Sequence, residues 1–133
     1  MAYRKDWTQA QIGGQGFART SKTLGRRVNV STTDDVSGNT VGAFTVPPGF
    51  TVTGVTVVSS AFAAGLAFTV GDAGSANRYI TAGAAAATNT TLATTGLLYK
   101  NLTETEIIIT IGTQAAGNVA GTLDTYLTGF IDN

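Results

Sequence analysis

Few side chains in this sequence are capable of chemistry, and two of them stand two residues apart. Glu104 and Glu106 flank Thr105 at the head of a run rich in Ile and Thr. On a strand that spacing puts both carboxylates on one face, within the ~7 Å repeat of the pleat. The separation overlaps that of the paired carboxylates of glycoside hydrolysis. No positioned aromatics or supporting arginines accompany them in the sequence, so a solvated strand face is the favoured reading. Asp34-Asp35 and the run Asp72-Ala73-Gly74-Ser75-Ala76-Asn77 offer loop oxygens of the kind that hold calcium. Neither matches the twelve-residue loop closed by a glutamate, and Asp, Ser and Asn are ordinary turn formers. We expect no metal and no cofactor. Gly13-Gly14-Gln15-Gly16 lacks the lysine and the following helix of a phosphate-binding loop. The chain has no His and no Cys, which excludes imidazole bases, thiol nucleophiles, Cys/His zinc sites and disulfides. The expectation is a protein that is not an enzyme.

The framework behind these residues is a chain of 133 residues, enough for one domain with a real core. Only 12% of residues are charged, about half the usual share, and Thr, Ala and Gly take their place. The net charge of zero conceals a split. Residues 1–27 carry Arg4, Lys5, Arg19, Lys22, Arg26 and Arg27 against Asp6, a net +5; residues 28–133 balance it at −5. The basic stretch also holds Tyr3, Trp7 and Phe17 without a sustained hydrophobic period. It reads as an extended N-terminal arm, and residues 28–133 as the folded domain. Tyr3, Trp7 and Phe17 would anchor the arm on an acidic protein surface, with the basic residues as polar clamps. Nucleic acid is disfavoured, because the cations are spread out and the body behind them is acidic. No run of 18 apolar residues occurs, so no membrane-spanning helix is expected.

After Arg27, short β-branched runs alternate with turn chemistry at the spacing of an all-β antiparallel sandwich. Strands are expected at 28–32, 41–46, 50–60, around the alternating Leu66, Phe68 and Val70, at 77–81 and at 97–100. Pro47-Pro48-Gly49 is a firm stop between the second and third. Tyr79 and Ile80 should point to opposite faces, and the Ala-rich stretch 83–91 reads as a loop. The last two strands, 104–111 and 119–131, read as a hairpin with a long tip. Ile107, Ile109 and Ile111 share one face of the first; Leu123, Thr125, Leu127 and Ile131 share one face of the second. Ile108, Tyr126 and Phe130 are left on the opposite faces, as candidates for contact with a second subunit. A homo-oligomer is expected, most simply a cyclic one, with a trimer favoured.

The run Val46-Pro47-Pro48-Gly49-Phe50-Thr51-Val52, the run from Phe68 to Ile80 and the terminal pair of strands together resemble the capsid decoration, or cement, proteins of tailed bacteriophages. The likeness covers roughly residues 40–133 and excludes the arm. It implies a jelly-roll-like sandwich, commonly oligomeric, on the outer surface of an icosahedral shell. There it would bind the major capsid protein and bridge neighbouring subunits, and no catalytic residues carry over. Similar sandwiches occur in tail, neck and fibre proteins, where Phe62, Tyr79 and Tyr99 would be aromatics for a receptor or glycan. Deleting residues 1–27 should then leave the body folded and weaken its attachment.

Overall fold

The structure is a computed structural model that describes residues 21–60, 62, 65–85, 89–93, 95–117 and 119–131. Among the described residues, nine strands form two antiparallel sheets: β1 (Ser21–Val30), β2 (Thr40–Val46), β3 (Phe50–Ser59), β4 (Ala67–Asp72), β5 (Ser75–Ala84), β6 (Asn89–Leu92), β7 (Lys100–Asn101), β8 (Thr105–Thr113) and β9 (Gly121–Ile131). One sheet runs β1-β9-β3-β6, with β7 also pairing β3; the other runs β2-β8-β4-β5. If β6 and β7 count as two halves of one interrupted strand, this is the eight-position order of a jelly roll. The sheets bury their facing sides against each other, as a sandwich requires.

The core follows from alternation. Ile107, Ile109 and Ile111 of β8 are fully buried, as are Leu123 and Leu127 of β9, while Ile108 and Tyr126 between them face outward. Phe50, Val52, Val55 and Val57 line β3, with a bulge between Val52 and Gly54 that shifts the period by one residue. Phe68 and Val70 of β4 complete the centre together with Tyr79 and Ile80 of β5.

Several expectations are corrected. The two terminal strands are not a hairpin: β8 pairs with β2 and β4, and β9 pairs with β1 and β3. Both present an apolar face, and those faces meet across the core instead of lying side by side. Strand β1 begins at Ser21, seven residues before the expected start. Lys22, Arg26 and Arg27, assigned to the arm, therefore belong to the sheet and pair with Gly129, Thr125 and Asp124. Charge hid a period-two pattern in which Leu24, Val28 and Val30 point inward. Arg26 shares that inward register, yet its guanidinium reaches across to the Ala43 carbonyl at 3.1 Å, a long side chain carrying its charge out of an apolar edge.

The outward positions opposite them include Gly25. A Cβ there would stand 2.6 Å from Cδ1 of Tyr126, so the tyrosine ring lies on bare backbone. Of the stretch 83–91 read as loop, Gly83 and Ala84 end β5, and residues 89–91 form β6 with Leu92 against β3. Residues 97–100, read as strand, are mostly a bend, because Gly96 and Leu98 both take φ of 68°. Finally, Tyr79 and Ile80 are both buried. The pairing of β4 with β5 is irregular between Phe68 and Asp72, so strict alternation fails there.

Candidate functional site

A groove of about 540 Å³ opens at the end of the sandwich where β1, β3, β7 and β8 begin and where β4 turns into β5. Its walls are the turn 72–74, Arg78 of β5, the segment from Tyr99 to Thr105, and Glu106 and Ile108 of β8. The turn is fixed by one carboxylate. Asp72 Oδ1 accepts the backbone N–H groups of Gly74 at 2.9 Å and Ser75 at 3.0 Å. Arg78 donates from Nε to Asp72 Oδ2 at 2.7 Å and from its terminal nitrogen to Oδ1 at 3.1 Å. This fork also lies 3.8 Å above the Tyr99 ring centre, which makes a stacked cation–aromatic wall.

The 99–105 wall and the bend that leads into it expose apolar side chains. Leu97, Leu98 and Leu102 expose 45%, 69% and 77% of their surface, which is unusual for three leucines within six residues. Leu98 holds a left-handed backbone that a bulky residue adopts only at a cost. It is pinned there because its N–H donates to Val52 O at 2.6 Å, while Val52 N–H donates to Tyr99 O at 3.0 Å.

Glu104 and Glu106 both belong to this groove and both are exposed. Contrary to the sequence reading, an arginine and an aromatic do stand beside them, brought from β5 and from the bend before β7. Arg78 is already engaged by Asp72, however, and the two glutamates face solvent instead of the apolar enclosure that makes a carboxyl a general acid. The other loop acids are turn fasteners. Asp34 Oδ2 accepts the Ser31 N–H at 3.1 Å and the Ser31 hydroxyl at 2.9 Å. Asp35 is buried and its Oδ1 accepts the Ala115 N–H at 2.9 Å. Among the described residues no three acidic side chains converge as metal ligands.

The remaining candidates separate. Tyr3, Arg4, Lys5, Trp7, Phe17 and Arg19 lie outside the described residues. Arg27 forms a two-pronged pair with Asp124 directly across the strand, at 2.9 and 3.1 Å. Tyr126 and Phe130 share the outer face of the β1-β9-β3 sheet. That face carries the Arg27–Asp124 pair, with Lys100 in the row of Phe130 and Thr51, and between them an uncharged row runs Gly25–Tyr126–Thr56–Leu92 across four strands. Ile108 lies on the outer face of the other sheet, between Gly42 and Gly71. Of the three aromatics named for a glycan tip, Phe62 and Tyr79 are core residues and only Tyr99 reaches the surface.

The ionisable groups set the pH response. Burial pushes the Asp72 carboxyl up, but the Arg78 fork and the two turn N–H groups outweigh it and hold the group below the usual carboxylate range. Asp34 and Asp124 are held low by Ser31 and Arg27 respectively. Burial pushes the Tyr79 hydroxyl up. A carboxylate lowered by folding stabilises the native state above its unfolded value near 4 and loses that contribution as pH falls through the folded value. A tyrosine raised by folding contributes below about pH 10 and loses it at more alkaline pH. With no His or Cys to titrate between, the melting temperature should be level from roughly pH 5 to 9 and fall on both sides. Circular-dichroism melts across pH check this, and Asp72→Ala should cost about 1–3 kcal/mol at pH 7.

What the fold defines is a jelly-roll sandwich with an open groove at one end and a broad outer sheet face around Tyr126. No family model matches the chain, and no curated protein sequence matches it either. Solved structures do. The chain is similar to a chain of the Cyanophage Pam1 capsid asymmetric unit, at 28% identity and a TM-score of 0.74, over 90% of both chains. It shares its fold with a chain of the capsid of Ralstonia phage GP4, at 14% identity and TM-score 0.64, covering 84% of this chain and 86% of that one. The same holds for a chain of the acid-stable capsid of Helicobacter pylori bacteriophage KHP30, at 13% identity and TM-score 0.60, covering 86% and 94%.

Proposed function

We propose that this chain is a non-enzymatic structural protein of a bacteriophage virion, and specifically a decoration or cement protein on the outside of the capsid. The observation that carries this reading is the near full-length likeness to a chain of the Pam1 capsid asymmetric unit. The sequence resemblance to cement proteins points the same way. In this reading the sandwich sits on the major capsid protein and the basic N-terminal segment, with Tyr3, Arg4, Lys5, Trp7, Phe17 and Arg19, spans a boundary between capsid subunits. Copies associate, with a trimer favoured, through the outer face that carries Tyr126 and Phe130. Many symmetry-related copies let individually weak contacts act at high effective concentration. Ile108, on the other sheet, belongs to the groove and not to that face.

Particles lacking the protein provide the test. Full-length protein should bind them saturably and raise their melting temperature. Protein lacking residues 1–20 should bind much more weakly while remaining folded. Failure of the full chain to bind shells would remove the cement role and favour a tail, neck or fibre component.

A further inference from the structure

We infer that the groove is a binding site for an uncharged oligosaccharide. Three observations converge on it. The first lies beneath its floor. Tyr79 is fully buried, and its hydroxyl has no hydrogen-bond partner among the described residues. The groups that act on that hydroxyl electrostatically are Asn101, Asp72, Arg78 and Tyr99, and all of them belong to the groove wall. Asn101 stands close enough to influence the hydroxyl without closing a bond to it. It is only 2% exposed, and its amide donates one long bond, at 3.4 Å, to the Phe50 carbonyl. A hydroxyl and a primary amide have capacity for several bonds each, and enclosing that capacity unspent costs stability. The Asn101 amide links the two places: one end can bond Tyr79 while the other meets a ligand hydroxyl in the groove.

The second observation is the charge of the wall. Arg78 is held by Asp72 and Lys100 has an interaction of its own, and no other cation lines the groove. Phosphates and acidic sugars therefore find no free positive group. Glu104 and Glu106 have no ion-pair partner among the described residues. Two exposed carboxylates accept hydrogen bonds from ligand hydroxyls and repel anions.

The third is the platform beside them. The Arg78 guanidinium lies 3.8 Å from the Tyr99 ring centre, and Tyr99 is still 38% exposed. Leu102, in the same wall, is 77% exposed. An aromatic ring has a negative face that attracts the slightly positive C–H side of a sugar ring. A sugar laid against Tyr99 and Leu102 turns its hydroxyls toward Asn101 and the two glutamates. A wholly apolar ligand would leave those polar groups unpaired. The groove, at about 540 Å³, falls within the ~300–1,000 Å³ of small-molecule sites and has room for a disaccharide. This inference needs no shell, so it stands or falls separately from the cement reading.

Saturation-transfer NMR titrations of the full-length protein test it, with maltose, cellobiose, lactose and N,N′-diacetylchitobiose as probes. At least one of these should bind saturably, and digalacturonate should bind about tenfold more weakly or not at all, because the carboxylates repel it. Tyr99→Ala should weaken the bound sugar about tenfold, and Tyr79→Phe roughly fivefold, the value of one hydrogen bond. Tyr79→Phe also separates two roles. If the hydroxyl were only an enclosed fault of the core, its loss would hold or raise the melting temperature and leave sugar binding unchanged. Glu104→Gln/Glu106→Gln, on an exposed strand face, should narrow the gap between neutral and acidic sugars. Val36→Asn, at the opposite end of the sandwich, should change nothing. The inference is overturned if none of the neutral sugars binds, if digalacturonate binds as tightly as they do, or if neither tyrosine variant alters binding. A triarginine peptide that binds where the sugars do not would make this a site for a basic peptide instead.

Discussion

Removing residues 1–20 should leave the body's stability within about 1 kcal/mol of the full chain, whereas removing residues 1–27 should lower it by at least ~3 kcal/mol. The shorter deletion stops at the first residue of β1. The longer one takes seven of the ten residues that pair with β9. It strips Leu24 from the edge of the core, breaks the Arg27–Asp124 pair and uncovers Tyr126, whose ring lies on Gly25. It also leaves most of β9 as a bare edge, with unpaired backbone groups that invite aggregation. Urea titrations of the two truncations measure both values. Equal stability of the two would mean that β1 contributes nothing to the fold. The distinction matters for any attachment assay, because loss of binding on deleting 1–27 would confound a lost arm with a damaged sheet.

The second large effect lies at Phe68. Its ring is buried in the core and lies over Gly83, its partner on β5, where even one added methyl would collide with the ring. Phe68→Ala should cost about 3–5 kcal/mol, through lost burial plus a cavity that the paired strands cannot collapse. Gly83→Ala should cost roughly 1–3 kcal/mol by overpacking the same spot. Because both act on one volume, Phe68→Leu should partly absorb the alanine, and the double variant should lose less than the sum of the singles. Denaturant unfolding of the four proteins completes the cycle. Strict additivity would show that ring and glycine do not share space in solution.

Much of this protein follows from local pattern. The all-β class, the stop at Pro47-Pro48-Gly49, the bounds of β3 and the inward sides of β8 and β9 all come from alternation of β-branched residues and turn chemistry. These depend only on near neighbours in the chain. What alternation cannot carry is which strand lies beside which. Two amphipathic runs joined by a short connection fit a hairpin and a crossing between sheets equally well, so β8 and β9 were resolved only by the fold. The start of β1 was hidden for a related reason. Lys22, Arg26 and Arg27 are acceptable in a strand because Asp124 and the Ala43 carbonyl receive two of them, and those partners are 97 and 17 residues away. The groove is the strongest case. Glu104 and Glu106 were legible as a pair, but Asp72, Arg78 and Tyr99 come from other elements, and only long-range packing sets them around the same opening. Sequence determined the class of fold and the faces of its strands, because those are short-range properties. Tertiary structure decided the strand order and the site, because both depend on contacts between residues far apart in the chain.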